Sequence, residues 1–141
     1  MTNEIALSND LNVITAEIKT YQRVAGESIF EIGHRLKHVK EKDLVHGEFG
    51  KWVESIDMTP RNAQQFMQIA DELGEKAKLV SHLGFAKLLH IAQIKDRDHQ
   101  HFIEQLHTIP LTGETKTVDE MTVRELREDI FSNVVLEMSI Q

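Results

Sequence analysis

The first 59 residues contain no proline, and apolar side chains recur through them three and four positions apart. Such spacing places the apolar residues on one face of an α-helix, which has 3.6 residues per turn. The whole chain holds two prolines, Pro60 and Pro110, so most of it lacks helix-breaking residues. We therefore predict an all-α fold, with a long N-terminal helix, a helix-turn-helix-like unit and C-terminal helices.

The length and composition fit one domain with an appendage. The 141 residues are 40% hydrophobic and 28% charged, which suffices for one modest core. We divide the chain into residues 1–25, an N-terminal helix and candidate dimerisation segment, residues 26–107, the helical core, and residues 108–141, a loop and an acidic C-terminal helix. No signal peptide and no membrane-length apolar stretch is visible, so we expect a cytoplasmic protein with no membrane contact.

The chain contains no cysteine, which excludes disulfides, thiol catalysis and cysteine-based metal sites. His34 and His38 are four residues apart, but no carboxylate completes a known metal motif around them. A second cluster joins two aspartates to two histidines: Asp96, Asp98, His99 and His101. Aspartates there favour the start of a helix through its macrodipole. We predict no metal, no cofactor and no enzymatic activity.

The N-terminal helix is predicted to begin near Ser8, a favourable N-cap, with Asp10 in its first turn. Its apolar positions form two heptad-like runs: Leu11, Ile14, Ile18, Tyr21 and Ala25, then Ile29, Ile32, Leu36 and Val39. The spacings alternate between three and four residues, but Ala25 and Ile29 are four residues apart where the alternation predicts three. That step has the form of a stutter between the two runs.

Two interpretations of this pattern remain open. A continuous helix over residues 9–42 would be about 50 Å long, too long to bury its whole apolar stripe in one small globule. It favours a homodimer through the N-terminal half of the helix. Alternatively, two shorter helices broken near Gly26 pack in the core of a monomer. Gly26 and Gly33 can also mark close contacts between helices.

Residues 47–73 carry the pattern of a helix-turn-helix-like unit. Its first helix is predicted over residues 47–55, and Asp57 stands at the turn. A left-handed backbone is needed there, and Asp tolerates it better than most residues other than glycine. The apolar and small residues that the unit requires fall at the expected spacing: Trp52, Val53, Ile56, Met58, Ala63 and Phe66.

The second helix of the unit is predicted to begin at the N-cap Thr59, with Pro60 at its first position, and to run to about Leu73. Gly74 is a natural C-cap. The inward face of this helix is apolar, and its members are Ala63, Phe66, Met67, Ala70 and Leu73.

The outward face of this helix carries an Arg, an Asn and three Gln, where a merely solvated face more often carries Glu and Lys. Arg reads guanine, and Asn or Gln reads adenine, in the major groove of DNA. Thr59 and Lys51 can hold phosphates. The candidate nucleic-acid-binding residues are Lys51, Thr59, Arg61, Asn62, Gln64, Gln65 and Gln68. A partner-protein surface and an inert polar face remain alternatives.

The rest of the chain is predicted to form three more helices and an extended loop: helices over residues 81–94, 96–107 and 123–137, and the loop over residues 108–120. Thr122 and Glu125 form a capping box at the start of the last helix. The charged side chains of that helix, including Glu125, Glu128 and Asp129, are predicted to form a solvated face. Its apolar residues are predicted to pack inward: Leu126, Ile130, Phe131 and Val134.

Several short motifs lie between Gly26 and Leu73. They are Glu31-Ile-Gly33-x-x-Leu36, Lys40, His46-Gly-Glu-Phe49-Gly-Lys-Trp52 and Thr59-x-Arg61-x-Ala63-x-x-Phe66-Met67-x-x-Ala70, and the likeness resumes at Met121-Thr-Val-Arg-Glu-Leu126. This signature, HGEF-x-x-W followed by T-x-R-x-A-x-x-x-M, resembles an uncharacterised helical domain of phage, plasmid and other mobile-element proteins. The resemblance implies a mobile-element origin and a DNA-associated role, and it carries no established activity.

The net charge of −7 is unevenly spread, since residues 96–141 hold 10 acidic and 4 basic residues. Such acidity opposes non-specific DNA binding, although residues 34–51 form a weak basic island: Arg35, Lys37, Lys40, Lys42 and Lys51. We expect a DNA-binding accessory or regulatory protein of a phage or other mobile element, acting as a homodimer on double-stranded DNA. The alternative is an acidic phage-encoded protein that inhibits a host or defence protein by binding it.

Overall fold

The structure is a computed structural model that describes residues 6–94 and 99–140, with side chains described as far as Ser132. Within these ranges helices dominate and one two-residue antiparallel ladder is present, so the predicted all-α class is confirmed. The α-helices are α1 (Leu11–Glu41), α2 (Phe49–Ser55), α3 (Pro60–Leu73), α4 (Ala77–Val80), α5 (Phe85–Ala92), α6 (His99–Glu104) and α7 (Val123–Ile140). Short 3₁₀ turns cover Gly74–Lys76, Ser81–Leu83 and Val118–Glu120, and the strands are β1 (His107–Thr108) and β2 (Thr115–Lys116).

The N-terminal helix α1 is continuous through Gly26, so the alternative of two helices broken there is wrong. Asp10 is its N-cap rather than a first-turn residue, because the Asp10 carboxylate accepts a hydrogen bond from the Asn12 amide at 2.8 Å. Ser8 supports this cap from outside the helix, since its hydroxyl accepts from the Asp10 amide at 3.0 Å. The 31 residues of α1 span about 46 Å.

The buried face of α1 differs from the predicted stripe. The residues that it buries are Gly26, Phe30, Gly33 and Leu36. A Cβ built on Gly26 would lie 1.6 Å from the Ser81 carbonyl oxygen, and one on Gly33 would lie 2.3 Å from the Phe66 carbonyl oxygen. Both glycines therefore mark close contacts of α1 with neighbouring backbone, as one of the sequence interpretations proposed.

Two hydrophobic clusters hold these helices together. The larger one runs from Phe30 of α1 through α3 and α5 to Leu126 of α7, and its fully buried members include Ile69, Leu88 and Ile109. It draws on both the 26–107 and the 108–141 segments. The smaller cluster lies under the helix-turn-helix-like unit, and its buried residues are Leu36, Val53, Ala63 and Met67.

The segment after α3 departs from the predicted elements. Gly74 has φ −58° and ψ −37°, a right-handed conformation, so the chain continues into a 3₁₀ turn and α4 instead of ending at a left-handed cap. The helix predicted over residues 81–94 begins only at Phe85, because the preceding Gly84 has a φ of 87°, which is not helical. The loop predicted over residues 108–120 contains β2 and a 3₁₀ turn, and Thr108 pairs with Thr115. Residues 95–98, with Asp96, Asp98 and the start of the helix predicted over residues 96–107, lie outside the described residues.

The last helix begins at the predicted capping box. The Thr122 hydroxyl accepts from the Glu125 amide at 3.0 Å, and the Glu125 carboxylate accepts from the Thr122 amide at 2.9 Å. This amide, followed by the ammonium of Lys116, lowers the pKa of Glu125. Leu126 is buried as predicted, whereas Phe131 is 69% exposed, so its predicted inward position is wrong. The side chain predicted inward at Val134 lies outside the described residues.

Asp129 was predicted on the solvated face of this helix and is instead buried. Its Oδ2 lies 2.9 Å from Nδ1 of His107, and the two side chains are 8% and 2% exposed. The other ring nitrogen of His107, Nε2, lies 2.8 Å from the Phe102 carbonyl oxygen. A histidine and a carboxylate thus join α7 to β1 inside the larger cluster.

Candidate nucleic-acid interface

The turn between α2 and α3 has the backbone that a helix-turn-helix requires. Asp57 has φ +62°, which confirms the left-handed conformation predicted at this position. The Val53 carbonyl accepts from the Ile56 amide at 3.2 Å and from the Met58 amide at 2.9 Å, which closes the turn. Met58 then packs against the smaller cluster beside Trp52, as the sequence pattern predicts. The turn fixes where α3 begins.

We expect Asp57→Gly to stabilise the fold by about 0.5–1 kcal/mol, because glycine adopts positive φ without the steric cost that other residues meet. Part of that gain is offset by the greater freedom of glycine in the unfolded chain. Asp57→Val is the matched control and should destabilise the protein by more than about 1 kcal/mol, since β-branched residues disfavour this region most strongly. Urea unfolding of both variants measures the difference. Equal effects of the two substitutions would show that the turn is not strained.

The start of α3 is held by its predicted cap. The Thr59 hydroxyl accepts from the Asn62 amide at 3.0 Å, and Pro60 occupies the first turn, where its missing amide hydrogen costs nothing. The inward face contains the predicted Ala63, Met67, Ala70 and Leu73, together with Ile69, which the sequence pattern missed. Phe66 is half-buried, and its ring lies 4.9 Å from that of Phe85 on α5. These contacts anchor α3 on one side and leave the other side open.

Four of the predicted contact residues share the open side of α3. Arg61, Gln64, Gln65 and Gln68 are spaced 3, 1 and 3 apart, so they lie within about 100° of one another around the helix. Arg61 and Gln64 are exposed, and Gln65 and Gln68 are half-buried. Asn62 lies about 100° from Arg61, toward the side of the buried Ile69, and it is the least well placed of the predicted set.

Arg61 differs from Arg35 and Arg124 in its ionic surroundings. Arg35 pairs with Glu31 at 2.6 Å, and this hydrogen bond lowers the pKa of Glu31. Arg124 pairs with Glu128 at 3.1 Å. Arg61 has no ion-pair partner among the residues whose side chains the structure describes. None of these described side chains therefore competes with a phosphate or a base edge for its guanidinium.

The end of α1 lies beside the start of α3, because the two helices run in opposite directions: Gly33 meets Ala70, whereas Leu36 shares a cluster with Ala63. This brings the basic island of residues 34–51 toward the unit. The island is only partly available, since Lys37 donates to the Asp71 carboxylate, a hydrogen bond that raises the pKa of Lys37.

Two further lysines of the island lie on or near α2. Lys51 is exposed, and its ammonium lies 3.6 Å from the Glu48 carboxylate. Among the described side chains, Lys51 is the only predicted contact residue that has a carboxylate partner. The Lys40 ammonium lies 5.7 Å from the centre of the Phe49 ring, so it stands against α2. Sequence reasoning did not include Lys40 among the contact residues, although its place in the basic island was a signal for it.

A family described as "Protein of unknown function (DUF3102)" matches residues 5–132. The chain belongs to this family. The match includes α1 to α6 and the start of α7, so the whole helix-turn-helix-like unit of this DUF3102 protein lies inside it. The family is uncharacterised, as the resemblance in the sequence implied. Neither the curated proteins nor the solved structures contain a match to this chain.

Within residues 6–94 and 99–140, none of the helices combines the length and the apolar character that crossing a bilayer would need. The same part of the chain holds no group of three or more His, Asp or Glu side chains placed to bind a metal ion.

Proposed function

We propose that this DUF3102 protein binds double-stranded DNA through the open side of α3 and acts as an accessory or regulatory protein of a phage or other mobile element. The observation that carries the proposal is the surface formed by Arg61, Gln64, Gln65 and Gln68 near the start of a capped helix. Recognition helices contact base edges with residues in their N-terminal part. The guanidinium of Arg61 fits guanine, and the adjacent amides fit adenine.

Other residues of the surface fit roles in positioning the backbone of DNA. Thr59 is exposed at the N-terminus of α3, where amide groups and the helix dipole favour a phosphate. Lys40 and Lys51 stand on the neighbouring side of the unit and fit the next phosphates along the strand. The acidic total charge limits binding to this surface and favours a specific site over non-specific binding.

Arg61→Ala and Gln65→Ala should each weaken binding to a selected DNA site by about 1–3 kcal/mol, or roughly 5- to 150-fold. Arg124→Ala is the matched control, since it removes an exposed arginine of α7 outside the proposed surface and should leave binding unchanged. The site is obtained by selection from random duplexes, and affinity is measured by fluorescence anisotropy at two salt concentrations. Loss of binding in the control to the same extent, or no loss in either α3 variant, would contradict the proposal.

The second candidate is an acidic protein that inhibits a host or defence protein by binding its basic surface. The observation that favours it is an exposed apolar site in the first half of α7, where Phe131 and Leu111 line a groove that also contains Arg127 and Glu128. This candidate predicts stoichiometric recovery of one basic host protein by the tagged chain. Phe131→Ser should abolish that recovery, whereas Arg61→Ala should not affect it. Neither candidate assigns a catalytic role or a cofactor to the protein.

A further inference from the structure

The N-terminal half of α1 presents an apolar surface that its own fold leaves open. Its first buried residue is Gly26, and before that point the large apolar side chains face solvent: Leu11 is 75% exposed and Tyr21 72%. Ile18 is exposed between them, and Ile14 is half-buried. We call Leu11, Ile14, Ile18, Tyr21 and Ala25 the α1 seam.

The α1 seam points in a different direction from Gly26, Phe30 and Gly33, the first three buried residues of α1. With 100° between successive helical residues, the seam lies roughly 100° around the helix from Gly26, Phe30 and Gly33. The stutter between Ala25 and Ile29 falls where α1 first becomes buried. One part of the helix is therefore patterned for its own globule, and the other is patterned for a different partner.

The spacing of the α1 seam identifies that partner as a helix. Its residues recur at intervals of 3, 4, 3 and 4, an average of 3.5, which keeps a seam facing one neighbour along a left-handed coiled coil. In heptad terms Leu11, Ile18 and Ala25 occupy the a positions, and Ile14 and Tyr21 occupy the d positions. A second copy of the same helix supplies the same spacing and the same apolar face.

The residues beside the seam determine the relative direction of two copies. Asp10 and Glu17 lie on the g flank, and Thr15 and Gln22 lie on the e flank. In a parallel pair the g flank meets the e flank, so Glu17 lies beside Gln22 of the second copy. In an antiparallel pair the g flanks meet each other, which brings Asp10 and Glu17 of both copies together. Repulsion between these carboxylates disfavours the antiparallel arrangement.

We propose that two copies of the protein associate through the α1 seam as a parallel, in-register coiled coil. Since α3 begins beside the C-terminal end of α1, a parallel pair carries both α3 helices at the same end of the dimer. An antiparallel pair centred on Ile18 would separate the two Leu36 residues by about 54 Å along the axis. The parallel arrangement also suits the proposed function, because dimeric helix-turn-helix proteins read half-sites about 34–36 Å apart. The proposal itself does not depend on DNA.

The absence of cysteine from the chain makes a direct test possible, because a single introduced cysteine can only pair with its counterpart in another copy. In a parallel pair Leu11→Cys brings two thiols within disulfide range, with Cα atoms less than about 7 Å apart. In an antiparallel pair centred on Ile18 they would be about 21 Å apart. Thr20→Cys is the matched control, since Thr20 is exposed on the same helix but lies outside the seam.

Under mild oxidation we expect Leu11→Cys to form a disulfide-linked dimer at least tenfold faster than Thr20→Cys, as measured on non-reducing gels. Sedimentation equilibrium of the unmodified protein should give twice the chain mass of 16.2 kDa. Ile18→Asp should give a monomer with an unchanged circular dichroism spectrum, because Ile18 is exposed in the single chain. A monomeric unmodified protein, equal oxidation rates or a dimeric Ile18→Asp variant would each overturn the proposal. None of these measurements involves DNA, so they remain separate from the test of the proposed function.

Discussion

Gly26→Ala should destabilise the protein by about 3 kcal/mol or more, the upper end of the range for overpacked sites. The added Cβ would lie 1.6 Å from the Ser81 carbonyl oxygen and 2.5 Å from the Ser81 carbonyl carbon. These are backbone atoms, so a change of side-chain rotamer cannot relieve the clash. Either α1 or the 3₁₀ turn Ser81–Leu83 must move, and both are packed against the larger cluster. Urea unfolding followed by circular dichroism measures the loss.

Gly50→Ala provides the matched control for this prediction. Gly50 lies within α2, and a Cβ there would meet only the Pro60 ring, at 3.9 Å, an ordinary contact distance. Alanine is a better helix former than glycine, so the control should gain up to about 1 kcal/mol. Opposite signs for the two substitutions attribute the loss at Gly26 to the helix contact. A Gly26→Ala variant as stable as the unmodified protein would show that α1 does not approach the Ser81 backbone so closely.

Asp129→Ala should destabilise the protein by about 3 kcal/mol, the upper end of the range found when a buried polar group loses its partner. Both ring nitrogens of His107 lie within 3 Å of an oxygen: Nδ1 near the Asp129 carboxylate and Nε2 near the Phe102 carbonyl. Removal of the carboxylate leaves Nδ1 of that ring without its partner, in a side chain that is only 2% exposed. Urea unfolding at neutral pH measures the change in the free energy of unfolding.

The exposed pair of His82 and Asp119 offers a control with the same two residue types. Their Nε2 and Oδ1 atoms lie 3.0 Å apart, close to the spacing of the buried pair, but the side chains are largely in solvent. Asp119→Ala should therefore cost no more than about 1 kcal/mol, because solvent screens exposed pairs. A similar loss in both variants would refute burial as the cause of the difference.

Local patterns in the sequence predicted much of the helix-turn-helix-like unit. The left-handed Asp57, the Thr59 cap, the first-turn Pro60 and the inward Ala63 depend on residues within about ten positions of one another. The capping box at Thr122 is equally local. Such features can be predicted because each matches a residue type to a local requirement of the backbone. The requirements are a positive φ, a position that needs no amide hydrogen, and an N-terminal amide that needs an acceptor.

The buried face of α1 and the pair of His107 and Asp129 could not be predicted in the same way. Glycine carries no hydrophobic signal, so Gly26 and Gly33 are buried through shape complementarity with backbone far along the chain. Asp129 stands among charged residues of α7, and a local reading assigns it to solvent. Its partner lies 22 residues earlier in the chain. Tertiary packing, and not the local sequence pattern, determines that these residues are buried.

The sequence predicted which residues lie on the open side of α3, but not which of them lie at its centre and which at its edge. The sequence pattern placed Asn62 with the other amides. In the structure Asn62 lies at the edge of the surface, because the neighbouring Ile69 on that side of the helix is buried. Likewise, the sequence showed a basic island, but it did not show that the Lys37 ammonium donates a hydrogen bond to the Asp71 carboxylate. The available cations are determined by ion pairs between helices, which no single segment reveals.

The close approach of α1 to later parts of the chain also bears on how the protein folds during synthesis. Gly33 packs against Phe66, and Gly26 packs against Ser81, so each partner leaves the ribosome 33 or 55 residues after its glycine. At translation rates of about 5–20 residues per second, α1 waits roughly 2 to 10 seconds for its contacts. During that interval Gly26 and Gly33 lack the backbone against which they pack in the folded chain. A nascent chain that ends before Ser81 contains every residue of the smaller cluster, whereas the larger cluster also requires α5 and α7.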